Sequence, residues 1–204
     1  MLHCGKTHLP NRAEARRATI LETADRLFTE RGFHGTGMAQ IAAESGVKIG
    51  QIYRDFASKE DIVAALAEQN VSSWLEQDVL SAAVAAGDLH AIRSWIRRFE
   101  GQDDKVDECR LMTEIVAEAG RNARIAAIHR RIDDRVRESL SLALHALLPD
   151  GVDDEEINLL IEFILAAGIG VISRRVLRPD TPAIALGNLI SKMVDRHLGL
   201  LSSR

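Results

Sequence analysis

From Arg12 onward, apolar residues recur every three to four positions, the period of a helix with one face turned to a core. No stretch alternates apolar and polar residues as a strand would. In ATILETADRLFTERG, Ile20, Ala24, Leu27 and Phe28 fall on one face, and Gly32 is placed to end the helix. TGMAQIAAESG reads as a short second helix with Thr36 as N-cap and Gly46 just past its end. VKIGQIYRDF is a short third helix. Ser58 and Asp61 have the spacing of a capping box and open a long fourth helix that runs to Gly87. Asp88 caps a fifth, and two more follow at about 105–119 and 122–148, split by GRN. The loop PDGVDD precedes the last two, which RPD separates. The pattern predicts an all-α fold of about nine helices without internal repeats.

Residues 33–62 stand apart from this regularity. Two short helices flank the tight turn ESGV, where Gly46 can take the positive φ that a sharp helix-to-helix turn demands. Ile41, Ala42, Val47, Ile52 and Phe56 can face inward. That layout is a helix-turn-helix, whose second helix enters the DNA major groove. The outward residues Lys48, Ile49, Gly50, Gln51, Tyr53 and Arg54 are left to touch something else. Gly50 permits close backbone approach to a duplex. Gln51 can pair bidentately with adenine, and Arg54 with guanine or phosphate. The Tyr53 hydroxyl suits a phosphate oxygen, and Lys59 adds a cation at the start of the next helix.

The stretch ILETADRLFTERGF followed by TGMAQIAAESGVKIGQIYRDFASKEDI resembles the N-terminal domain of the TetR family of bacterial transcription regulators. The pattern G-x-x-Y-x-x-F-x-x-K-E with an upstream LF-x-x-x-G carries the resemblance over about residues 16–62. RLMTEIVAEAGRNARIAAIHRRI resembles a segment common in the body of family members. The resemblance implies that Thr36, Tyr53 and Lys59 contact phosphates and that positions 48–51 and 54 read bases. It also implies a body that dimerises and binds an effector. Two departures stand out: Lys48 where members often carry serine, and Asp55 where they carry an aromatic residue or histidine. Asp55 either repels phosphate or pairs with Lys59 four residues on.

The body supports dimerisation independently of that resemblance. FILAAGIGVISRRVL is apolar on more than one face, and Gly168 and Gly170 allow close helix approach. With IALGNLISKMVDRHLGLL, two copies would build a four-helix bundle about a two-fold axis. Ile164, Gly168, Gly170, Val171, Leu189 and Met193 are the expected interface. An effector cavity would be lined by Trp95, Phe99, Met112, Ile115, Val116, Ile128, His129 and Phe163, with Glu114, Glu118 and His145 as further polar candidates. Residues at this spacing also serve as ordinary core. GIGVIS mimics a dinucleotide-binding loop but follows a helix, not a strand.

Composition adds limits. The net charge is −4, yet residues 1–60 carry nine basic against seven acidic residues and the remainder 17 against 23. A mildly basic head on an acidic body fits a polyanion at the head. Two cysteines, Cys4 and Cys109, make no disulfide framework, and a reduced cytoplasmic setting is expected. The N-terminus lacks the apolar core of a signal peptide, and the ten-residue apolar run at 163–172 is too short to span a bilayer. His3, Cys4 and His8 could bind a metal, but residues 1–11 read as a loose arm, and a closed structural zinc site wants four ligands. The organisation expected is thus an arm (1–11), a DNA-binding domain (12–60) and an effector-binding and dimerisation domain (61–204). The function expected is a homodimeric repressor, released from a palindromic operator by a small molecule, with no cofactor, metal or membrane. No HExxH, GxSxG or CxxC pair points to an enzyme. A helical protein-binding scaffold or an enzyme with a vestigial DNA-binding head is the alternative.

Overall fold

The computed structural model describes residues 11–100 and 106–203. Among them are ten α-helices, one 3₁₀ turn and no strand. The helices are α1 (Arg12–Gly35), α2 (Met38–Ser45), α3 (Ile49–Asp55), α4 (Lys59–Leu75), α5 (Gln77–Ala86), α6 (Leu89–Arg97), α7 (Val106–Ala119), α8 (Ala123–Leu147), α9 (Asp154–Leu177) and α10 (Ala183–Leu201); the 3₁₀ turn covers Arg98–Glu100. The all-α expectation holds. The tenth helix arises because the long fourth segment breaks at Glu76, which sits in the left-handed region at φ 43°. Arg98 spans that break, donating to the Trp74 carbonyl at 2.9 Å and to the Glu76 carboxylate at 2.7 Å.

Helix ends follow the chemistry of their caps. Asn11 opens α1 in a full capping box with Glu14. Ser58 and Asp61 form the reciprocal pair expected before α4. Asp88, Asn122 and Asp153 cap α6, α8 and α9 by accepting from first-turn amides. Gly46 and Gly87 close α2 and α5 at φ 68° and 64°, a conformation that costs a side-chain-bearing residue energy. Gly32 breaks the helical path inside α1 at φ 73°, so the chain turns there before its final residues to Gly35.

The chain divides into two compact units within α4, residues 1–66 and 67–204. The first packs Ile20, Ala24, Leu27 and Phe28 of α1 with Ile41, Ile52, Phe56 and Ile62, all at most 2 % exposed. The second is built on Leu75, Ile92, Trp95, Leu140, Leu144, Ile157, Ile161 and Val171. Trp95 donates its indole N–H to the Leu75 carbonyl at 2.6 Å, so this buried aromatic leaves no polar atom unsatisfied.

One expectation about the apolar helices is corrected. α9 as a whole is long and apolar enough to cross a membrane, because its apolar character extends well beyond the ten-residue run. Ile157, Leu160, Ile161, Ile164 and Val171 commit one face of it to the core of the second unit. Ile164, Gly168 and Val171 therefore lie inside the subunit and not on a surface that a second copy can reach. A Cβ on Gly168 would come within 2.6 Å of the Phe99 carbonyl oxygen, so that glycine serves a close approach within the chain. Gly170, by contrast, is exposed and a Cβ there would meet nothing within 4 Å. Leu189 and Met193 are also half exposed.

Candidate nucleic-acid interface

α3 is only seven residues long, too short to persist alone, so its neighbours must hold it. Ile52 at 0 % exposure and Phe56 at 2 % anchor one side to the first unit's core. Its other side carries Lys48, Ile49, Gly50, Tyr53 and Arg54, all exposed, with Gln51 half-buried. Tyr53 is 53 % exposed and Ile49 41 %, two large side chains on the face turned away from the core. Gly50 has no positive φ, and a Cβ there would meet nothing within 4 Å. The fold therefore does not require glycine at this position.

Three sequence-based assignments change at this site. Thr36 is not the N-cap of α2; Gly37 is, without a side-chain cap. Thr36 is fully buried and its hydroxyl donates to the Leu27 carbonyl at 3.1 Å, which gives it a structural role within the first unit. Lys59 does not pair with Asp55. Its ammonium donates to the carbonyls of Phe33 and, at 3.0 Å, of Thr36, and lies 3.9 Å over the Phe33 ring. It thereby satisfies carbonyls at the end of α1.

Asp55 instead meets α1. Arg16 grips its carboxylate with Nε to Oδ2 at 2.6 Å and Nη2 to Oδ1 at 2.8 Å. Arg17 donates to the Asp55 carbonyl at 2.9 Å and stacks 4.2 Å over the Phe56 ring. The Arg16 hydrogen bond, helped by the charges of Arg16, Arg17 and Arg54, holds the Asp55 carboxyl below the usual carboxylate range against the effect of burial. The sequence reading missed both arginines, which stand 39 and 38 residues from their partner, a separation at which no spacing rule operates. The only signal was Asp55 itself, the one acid on α3, placed next to Arg54.

The residues expected around an effector differ in burial. Trp95, Phe99 and Ile128 are packed in the core, and the Phe99 ring lies 4.5 Å from Trp74 and 5.2 Å from Trp95. Met112, Val116 and Phe163 are exposed, whereas Ile115 and His129 are half-buried. A groove of about 360 Å³ lies elsewhere, lined by His90, Arg93, Ser94 and Arg97 of α6 with Asp195 of α10. Among the polar candidates, Glu118 is buried and paired with Arg121 at 2.7 Å. His145 touches the Ser141 hydroxyl at 3.3 Å and Asp154 at 3.2 Å, which mimics a nucleophilic triad. Its Nδ1 faces the Ser141 carbonyl more closely, at 2.8 Å, so that nitrogen carries a proton and has no lone pair to activate the hydroxyl. The Ser141 carbonyl and the Asp154 carboxylate, one at each ring nitrogen near a helix C-terminus, raise the pKa of the imidazole. Among the described residues no group of three or more His, Cys, Asp or Glu could hold a metal; His3, Cys4 and His8 lie outside them.

The geometry of the first unit has counterparts among known proteins. Residues 20–66 match the model for bacterial regulatory proteins of the tetR family, and residues 88–201 match that of the BetI-type transcriptional repressor C-terminal domain. The HTH-type transcriptional regulator HbdR of Aromatoleum sp. (strain CIB) is 40 % identical over 70 residues, 34 % of this chain and 30 % of that protein. The regulator YxaF of Bacillus subtilis (strain 168) is 27 % identical over 181 residues, 87 % of this chain and 94 % of that protein. A TetR-family transcriptional regulator from Mesorhizobium loti MAFF303099 superposes with a TM-score of 0.72 at 16 % identity, covering 94 % of this chain and 98 % of the other, a likeness of fold. With one family model on the DNA-facing unit and a second over more than half of the chain, this protein belongs to the TetR family of helix-turn-helix transcriptional regulators.

Proposed function

We propose that the protein is a cytoplasmic, homodimeric repressor that leaves a palindromic operator when a small molecule binds its body. The observation that carries this reading is the division of α3: one face is sealed into the core, while Ile49 and Tyr53 stand out beside Lys48, Gly50 and Arg54. Tyr53, Arg54 and Lys48 approach phosphates and bases, and Gln51 reads a base edge. Thr36 and Lys59 act by holding the end of α1 and the start of α2 together. No enzymatic role is assigned.

The exposed faces of the last two helices support dimerisation. On α9, Leu159, Phe163, Ala166, Gly170, Ser173 and Leu177 recur at intervals of four and three, the spacing of a helix-packing seam. Leu159 and Leu177 are 64 % and 74 % exposed in the single chain, as are Leu189, Met193 and Leu200 of α10 at 50–55 %. Such a surface is unfavourable in water and fits a second copy across a two-fold axis. Phe163 belongs to this seam, and Ala166 and Gly170 let the helices approach there. A titration of the full chain onto labelled mixed-sequence duplex at low and rising salt tests the reading. Binding that falls steeply with salt is expected. Binding that is absent or indifferent to salt refutes it, and leaves a protein-binding scaffold.

A further inference from the structure

We propose that Arg16 and Asp55 form a positioning clamp that sets how α3 presents Tyr53 and Arg54 to DNA. The inference rests on the reading of α3 as the DNA-facing helix. A helix of seven residues held by Ile52 and Phe56 on one side can still roll about that apolar contact, because dispersion forces are not directional. A guanidinium fork on a carboxylate is directional: both hydrogen bonds lie in one plane, so the pair resists rotation as well as separation. Arg16 makes that fork at 2.6 and 2.8 Å. Arg17, one residue later, fixes the Asp55 main chain through its carbonyl and covers Phe56 with its guanidinium. Two successive residues near the start of α1 thus hold the last residue of α3 by side chain and by backbone. Tyr53 and Arg54, immediately before it, inherit that orientation.

The exposures say which way Asp55 acts. Its side chain is 10 % exposed and that of Arg16 21 %, so the acid faces α1 and not solvent. An acid turned toward a duplex would weaken binding by repelling phosphate, and removing it would strengthen binding. An acid that positions the helix gives the opposite sign. Lysine could supply the charge of Arg16 but not the fork, so Arg16→Lys separates geometry from net charge.

The test uses the full chain and two labelled duplexes: one enriched by the wild-type protein from a randomised pool, and one of mixed sequence and equal length. Asp55→Asn and Arg16→Lys are expected to weaken binding to the enriched duplex on the order of tenfold, the scale of coupling broken between residues in direct contact. Binding to the mixed-sequence duplex should fall less than binding to the enriched one, and the salt slope of Arg16→Lys should match wild type, because the number of cations is unchanged. The exchanged pair Arg16→Asp with Asp55→Arg should recover most of the affinity that Arg16→Asp alone loses. An Asp55→Asn protein that binds the enriched duplex as tightly as wild type, or more tightly, overturns the clamp. So does an exchanged pair no better than Arg16→Asp. If circular dichroism shows that Asp55→Asn has lost helix, Arg16→Lys decides, and wild-type affinity in that variant overturns the clamp. A wild-type protein that binds neither duplex would instead remove the DNA-binding reading beneath it.

Discussion

Replacing Gly50 by alanine should move stability and function in opposite directions. Within the chain the added methyl meets no atom within 4 Å, and the backbone there is helical without a positive φ. Alanine also restricts the unfolded chain more than glycine does, so folding should gain about 0.5–1 kcal/mol. For a unit of this size that is a rise of roughly 2–8 °C in its melting temperature. At the duplex the balance reverses. If the α3 backbone approaches the groove closely at Gly50, the methyl must be accommodated in a packed interface at about 1–3 kcal/mol. Each 1.4 kcal/mol is a factor of ten, so affinity per bound subunit should fall roughly 5- to 150-fold. Thermal melting by circular dichroism reads the first effect and anisotropy on an enriched duplex reads the second. A more stable variant with undiminished affinity would show that Gly50 does not approach DNA and would refute the orientation assigned to α3. A less stable variant would refute the claim that this position is open within the chain.

Further outcomes follow from particular contacts. Tyr53→Phe removes one exposed hydroxyl and should cost about 1–2 kcal/mol of operator binding per subunit with an unchanged melting curve, because a hydrogen bond to a charged group is lost; equal affinity would reassign Tyr53. Gly170→Leu should shift sedimentation at micromolar concentration toward monomer by crowding the seam, and Gly168→Ala should instead lower the melting temperature, since its Cβ would lie 2.6 Å from the Phe99 carbonyl oxygen. A dimeric Gly170→Leu protein would take Gly170 out of the interface. The His145 pKa is raised by the Ser141 carbonyl and by Asp154, so its contribution to stability is full below the unfolded value of about 6.5 and is lost as pH rises through the folded value. The melting-temperature gap between wild type and His145→Gln should therefore narrow as pH rises from 6 to about 8; a gap that widens would contradict the sign.

The sequence by itself determined the helical class, most helix ends and the helix-turn-helix, because these depend on neighbours a few residues apart. The capping box at Ser58, the left-handed glycines 46 and 87 and the inward row through Ile41, Ile52 and Phe56 all act over such distances. Even the break at Glu76 is marked only by an ordinary glutamate, because what bridges it is Arg98, 22 residues on. Only the tertiary structure decided which partner each charge would take. Asp55 had a lysine four residues away, yet an arginine 39 residues away offers two aligned donors, while Lys59 meets carbonyls left open at the end of α1. The same limit governed α9: hydropathy counts apolar residues around a helix, but which of them face inward depends on what packs there. Ile164, Gly168 and Val171 point into their own subunit because the Phe99 segment and the core occupy that side, and Leu159, Gly170 and Leu177 are what remains outside. A period of 3.6 residues tells which side chains share a face, and only the packing of the whole chain tells where that face points.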